Sequence, residues 1–170
     1  MGSFKMLIIL FMGLSMNIGF VLSDCSSLDK MFYIQYKGTR LVLASRNSGV
    51  DFEPYDPSIY YAQYQQWNVE VSPRTGLFTI QVRYSVGALD FDKETYEIAR
   101  YDETDSIYQE WFLNSDGTIV NGALSGYAIT VNSTSFGDID KIYLAPLGEP
   151  GADQLFELFY ADEIEKQFVS

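Results

Sequence analysis

The feature that most constrains this chain is a short phrase that comes back. Gln65-Gln66-Trp67-Asn68-Val69 is followed 44 residues later by Gln109-Glu110-Trp111-Phe112-Leu113, and 45 residues after that by Gln154-Leu155-Phe156-Glu157-Leu158. In each copy a glutamine stands two positions before a large aromatic residue, which opens a short alternating apolar stretch. Recurrence at a fixed period means one supersecondary unit used repeatedly, so it sets the architecture before any single residue is interpreted.

The residues between the copies predict strands. Phe32 to Tyr36 and Arg40 to Ala44 are apolar or alternating runs around Lys37-Gly38-Thr39. The same pair returns as Leu77 to Val82 and Ala88 to Phe91, and again as Thr118 to Asn121 and Tyr127 to Val131. Each third then has another run, Ser58 to Tyr61, Tyr96 to Tyr101 or Lys141 to Ala145, before the strand that carries the phrase. Aromatic and β-branched residues fill these runs, and Gly, Asn, Asp and Ser punctuate them. No window of a dozen residues carries a helical stripe, and the one helical candidate is the end, Ala161 to Phe168.

Helical repeats of similar period are excluded by the period-two patterning, and a propeller closes with about four or more blades. Four strands in each of three units, at about 30–74, 75–115 and 116–160, resemble a β-trefoil, an all-β fold of three four-stranded lobes with pseudo-threefold symmetry. Within it, the glutamine-x-tryptophan phrase is similar to that of ricin B-type lectin domains, from about Phe32 to Phe159. Gln65/Trp67 and Gln109/Trp111 keep the phrase and Gln154/Phe156 softens it. The family's lobe disulfides are absent. Trp67-Asn68-Val69 and Phe78-Thr79-Ile80 also resemble strands of fungal trefoil protease inhibitors.

The phrase itself reads as structural: three rings pack towards a common axis, and each glutamine satisfies backbone groups nearby. Sugar binding in the resembled lectins needs a carboxylate on the second strand, a ring on the third, and amides near the glutamine. Fixed polar groups beside a ring suit the dense hydroxyls and C–H faces of a sugar. The first third has Val42 where the acid is expected, with Tyr60 and Tyr61 as possible rings, and the last has Thr130 and Ala145. Only the middle third keeps both, Asp90 and Tyr101, with Tyr108 in place of the asparagine and Gln109 present. The resemblance therefore implies at most one carbohydrate site: Asp90, Tyr101, Tyr108 and Gln109.

Residues 1–23 read as a secretory signal peptide: Lys5, then an apolar run from Met6 to Met16, then Val21-Leu22-Ser23. Cleavage there leaves one domain, 24–170, for the extracellular space. Cys25 is the single cysteine, so it is an unpaired tail residue or links a dimer. The chain has 11 Lys and Arg against 23 Asp and Glu, a formal net charge of −12, which disfavours nucleic acid and anionic membrane surfaces. It has no histidine, which excludes Ser-His and Cys-His nucleophiles and His-based metal sites. Asp90 with Asp92, or Asp102 with Asp105, are formal carboxylate pairs of the kind glycosidases use. Chance supplies such pairs in so acidic a chain, and neither an enzyme nor a cofactor is expected. Asp138, Asp140, Asp102, Glu103 and Asp105 match no complete calcium loop.

Asn132-Ser133-Thr134 is an N-glycosylation sequon, expected in a loop after Val131. Asp51 to Tyr64, with Pro54, Pro57, Tyr60, Tyr61 and Tyr64, is expected to be a surface connection suited to protein contact. Two kinds of partner remain open: an extracellular glycan bound in the middle third, or a secreted protein such as a protease bound through loops.

Overall fold

The computed structural model describes residues 31–47, 49–83, 85–133, 139–148, 153–161 and 163–164. The signal peptide, Cys25, Asp138 and most of the C-terminal helical candidate lie outside them. The described residues form twelve strands: β1 (Met31–Tyr36), β2 (Leu41–Arg46), β3 (Gly49–Pro54), β4 (Trp67–Val71), β5 (Phe78–Val82), β6 (Gly87–Phe91), β7 (Ile98–Asp102), β8 (Glu110–Leu113), β9 (Ile119–Asn121), β10 (Tyr127–Ser133), β11 (Ile139–Pro146) and β12 (Phe156–Tyr160). All pairings are antiparallel. Hairpins β2–β3, β6–β7 and β10–β11 stand beside a run of pairings β12–β1–β4–β5–β8–β9. Among the described residues no helix is long and apolar enough to cross a membrane.

The recurrent phrase explains how hairpins and ring are joined. Trp67, Trp111 and Phe156 are all buried in one core with Ile34, Leu43, Ile80, Leu89 and Ile129. Trp67 Nε1 donates to Leu43 O at 2.9 Å, and Trp111 Nε1 donates to Leu89 O at 3.1 Å. Each ring thus hides its area and also ties its strand to the first strand of a hairpin. Phe156 has no N–H to offer and stacks on Phe52, with ring centroids 5.7 Å apart.

The glutamines tie the other strand of each hairpin. Gln65 Nε2 donates to Pro54 O at 2.9 Å, and Asp56 N donates to Gln65 Oε1 at 3.1 Å. Gln109 does the same with Asp102 O and Thr104 N, at 2.8 and 2.9 Å. Gln154 repeats it with Pro146 O and Gly148 N, at 3.0 and 2.8 Å. One buried amide thus satisfies a carbonyl and an N–H two residues apart, just where the chain leaves the hairpin and has no ladder partner.

Three expectations need correction. Ser58 to Tyr61 is not a strand: Ile59–Gln65 forms a two-turn helix, α1, and the strand before it is Gly49–Pro54. Pro57 and Ser58 start the helix, and tertiary contact with β2 overrides the weak helix propensity of its tyrosines. Val42 is not the position that matches Asp90. Gln35 faces Val42 as Gln81 faces Ala88, so Ala44 matches Asp90. Asn132 is not in a loop: it is exposed near the end of β10, opposite Lys141.

Ser45 is a local misfit. It is fully buried and its hydroxyl has no hydrogen-bond partner among the described residues, whereas the matching residues of the other hairpins are Phe91 and Val131. Ser45→Ala is expected to raise stability by about 1 kcal/mol, because an unpaired buried hydroxyl costs more than a methyl group. Gln65→Leu is expected to lose about 2–4 kcal/mol, since it orphans one carbonyl and one N–H together. Urea denaturation of the two variants beside the parent chain measures both.

Candidate functional site

The β6–β7 register sets the site. Asp90 faces Ala99 and Ala88 faces Tyr101, so Asp90 and Tyr101 lie on one face of the hairpin as diagonal neighbours, within reach of a long side chain. Asp90 is 9% exposed and Tyr101 44%. An inner carboxylate therefore sits beside an outer ring. Asp90 Oδ1 accepts from Phe91 N at 2.7 Å, and the Gln109 side chain also favours the charged form of the carboxylate. Gln109 thereby connects the strand-end clamp to the candidate site.

Burial pushes the Asp90 carboxyl above the usual carboxylate range, against the hydrogen bonds of Phe91 N–H and Gln109 and the charge of Lys93. Tyr108 precedes Gln109 in a 3-10 turn, Ile107–Gln109. Its ring meets Phe91 edge-on at 5.8 Å, and Lys93 Nζ stands 3.9 Å from its centroid. Tyr108 is thus a half-buried wall that carries a cation.

Lys93 is the residue that sequence reasoning missed. It belongs to the turn Asp92 to Thr95, where Asp92 Oδ1 accepts from Glu94 N and Thr95 N, both at 2.8 Å. Those bonds hold the Asp92 carboxyl below its usual range and fix the turn that aims Lys93. They also commit Asp92 to the backbone. The available signal was a lone cation among acids, in the turn next to the expected carboxylate.

The other hairpins lack this set. In the first, Ala44 matches Asp90 and Glu53 matches Tyr101, and Glu53 pairs with Arg46 at 2.5 Å. Tyr60 and Tyr61 project instead from α1, where the Arg46 guanidinium lies 4.8 Å from the Tyr61 centroid. In the third, Thr130 Oγ1 accepts from Gln154 Nε2 at 2.9 Å, and Ala145 stands at the ring position. Among the described residues, no group of three or more Asp, Glu, Cys or His is placed to hold a metal ion.

No family model matches the chain, and no curated protein sequence matches it. Solved structures do. The chain is similar to the GlcNAcα1-4Gal-releasing endo-β-galactosidase from Clostridium perfringens (14% identity, TM-score 0.62), over 77% of this chain and 32% of that one. It is similar to a non-toxic homologue of type II ribosome-inactivating proteins from bitter gourd, Momordica charantia, solved with α-methyl-D-galactoside (20%, TM-score 0.59). That match covers 76% of this chain and 48% of the other. It is also similar to an earthworm lectin C-terminal domain mutant solved with 6′-sialyllactose (17%, TM-score 0.59), over 77% of this chain and 98% of that one. The chain spans about a third of the clostridial enzyme and about half of the bitter gourd protein, but nearly all of the earthworm domain. The fold is therefore a β-trefoil.

An aspartate whose folded pKa is raised binds its proton more tightly in the native state than in the unfolded one. Its contribution to stability therefore falls as pH rises from the ordinary carboxylate value through the raised one. Asp90→Asn is expected to melt at a higher temperature than the parent at pH 7, and the difference is expected to vanish near pH 3, where both side chains are neutral. Paired thermal melts across that range measure it.

Proposed function

We infer that the chain is a secreted, non-catalytic carbohydrate-binding protein of three four-stranded lobes, about 30–74, 75–115 and 116–160, with a single sugar site in the middle lobe. The observation that carries this reading is the shared face of Asp90 and Tyr101, with the carboxylate held by the Phe91 N–H. An ionised carboxylate accepts from two vicinal hydroxyls, and the exposed ring offers an apolar face to the C–H side of the sugar. Lys93, poised over Tyr108, supplies the donor that an asparagine at position 108 provides in the lectins the chain resembles.

Residues 1–23 as a signal peptide and the exposed Asn132 as a glycan acceptor support secretion. The absence of histidine from the sequence and the commitment of Asp92 to its turn support binding without catalysis. The ligand is an extracellular glycan.

A second reading, binding of a secreted protein such as a protease, has one specific observation behind it. Tyr60 on α1 is 65% exposed and meets Tyr61 and Tyr64 edge-on at 5.1 and 6.0 Å, an aromatic surface of the kind found at interfaces. The two readings separate in one experiment, a glycan array run beside a protease-inhibition panel. Asp90→Ala is expected to abolish glycan retention. Tyr101→Ala is expected to weaken it about tenfold, the equivalent of ~1.4 kcal/mol, and Tyr60→Ala to leave it unchanged. Retention that survives Asp90→Ala rejects the middle-lobe site, and protease inhibition lost in Tyr60→Ala establishes the second reading.

A further inference from the structure

Strands β1, β5 and β9 each lead into a hairpin, and one of their matching positions differs in kind. Gln35, Gln81 and Val120 face the hairpin residues Val42, Ala88 and Ala128, so Phe32, Phe78 and Gly117, three residues earlier, correspond. Phe32 faces Trp67 and Phe78 faces Trp111. Each puts a phenyl ring at its junction, Phe32 buried and Phe78 half-buried. The third junction has no ring. Gly117, at φ +96°, brings its backbone against Phe156, whose N–H donates to Gly117 O at 2.8 Å. A Cβ on Gly117 would lie 2.7 Å from Phe156 O, so only glycine fits this approach.

The same junction is where the sheet stays open. β12 pairs with β1 along its whole length. Leu155 O accepts from Lys37 N and Ala161 N donates to Met31 O, so the antiparallel alternation turns the N–H and C=O of Leu158 to the other edge. Beyond the bond from Phe156 N to Gly117 O, that edge has no strand partner among the described residues. A cleft of about 450 Å³ runs beside it, between β12 and the turn 114–118. Leu113, Ile119 and Leu158, which pack in the main core, line it together with Lys37, Asp116 and Glu157. Asp116 Oδ1 accepts from Thr118 N at 2.9 Å and Thr118 Oγ1 at 2.7 Å. These bonds, with a smaller contribution from the charge of Lys37, hold the Asp116 carboxyl below its usual range. Two acids against one lysine leave the rim negative, in a chain of net charge −12.

We propose that this edge takes an extended segment of a partner protein, added to β12 as a further strand, with an aromatic side chain flanked by lysine or arginine. The segment's N–H and C=O bond those of Leu158, the usual source of affinity when a strand joins a sheet edge. The aromatic ring occupies the place that Phe32 and Phe78 fill at the other two junctions. Side chains alternate along a strand, so a ring turned toward Leu113 and Leu158 sends its two neighbours toward Asp116 and Glu157. The opposite charges attract and also favour encounter. The cleft falls within the ~300–1,000 Å³ of ordinary ligand pockets. None of its residues belongs to the sugar site or to the Tyr60 surface, so its failure leaves both of those readings untouched.

The test is calorimetric titration of the whole protein with acetyl-Lys-Phe-Lys-amide at low salt, with hydrogen exchange at the Leu158 amide read by NMR. Saturable binding is expected with a Kd on the order of 1 mM, reasonable for so small a ligand. Saturation is expected to slow Leu158 exchange at least tenfold. The peptide with N-methylated phenylalanine, which cannot donate to Leu158, and acetyl-Lys-Ala-Lys-amide, which lacks the ring, are each expected to bind at least tenfold more weakly. Glu157→Lys, on the solvent side of β12, is expected to keep the parent's melt. It is also expected to weaken the lysine peptide about threefold and to strengthen acetyl-Glu-Phe-Glu-amide. Equal binding of the N-methylated or alanine peptide, unchanged Leu158 exchange at saturation, or indifference to Glu157→Lys would overturn the proposal. So would a Leu158 amide already protected in the free monomer, which assigns the edge to this chain's own residues. A concentration-dependent dimer dispersed by the peptide assigns it to a second copy, and rejects the proposal equally.

Discussion

A buried primary amide that bonds a carbonyl with its N–H and an N–H with its oxygen is the interaction on which the rest of this structure depends. It occurs at Gln65, Gln109 and Gln154, each time on backbone groups two residues apart where a hairpin strand has run out of ladder. Among neutral side chains only asparagine shares the primary amide's N–H donors and carbonyl acceptor on one carbon, and asparagine is a methylene shorter. The clamp fixes where the following strand starts, and therefore where the next ring enters the core. Trp67 and Trp111 add a tie to the hairpin's first strand through their ring N–H. Phe156 cannot, and in that copy the glutamine takes over: Gln154 also donates to Thr130 on the first strand of its hairpin.

The candidate site grows out of that clamp. Ala44, Asp90 and Thr130 occupy matching positions beside the three glutamines, so one location in the fold accepts a methyl group, a carboxylate or a hydroxyl. A carboxylate is the least favourable of the three for stability, as the raised pKa of Asp90 states in energetic form: burial there disfavours its charge. Gln109 and the Phe91 N–H offset part of that cost. A charge kept where the neighbouring hairpins keep none suggests work other than folding, and the exposed ring of Tyr101 on the same face indicates what kind.

Much of this was legible in the sequence and some could not be. The phrase marked the buried rings and the amide partners, because a period of 44 or 45 residues leaves few architectures, and the apolar and alternating runs marked every described strand except β3. Helix α1 was illegible: a two-turn helix made of Ile59, Tyr60, Tyr61 and Tyr64 has the composition of a strand, and its contact with β2 comes only from the tertiary fold. The choice of Val42 over Ala44 was an error of two residues, which preserves the face and so leaves the alternation pattern intact. The setting of Glu110 could not be read either, since its partners Ser72 and Arg74 are 38 and 36 residues away.

The three copies of the phrase differ most where they have chemistry to spare. In the first, Gln66 is satisfied by Tyr33 and Arg83, and Glu53 is taken by Arg46. In the third, Gln154 and Thr130 satisfy each other and Leu155 has nothing to offer. In the middle copy, Gln109 stands beside a buried carboxylate and an exposed ring, and the buried Glu110 keeps one oxygen without a partner among the described residues. Both are held by the same strand start and sit next to Trp111, which is fully buried. Groups that cost stability are thus concentrated beside a fully buried core anchor, and this is the arrangement in which a fold can carry them without loosening.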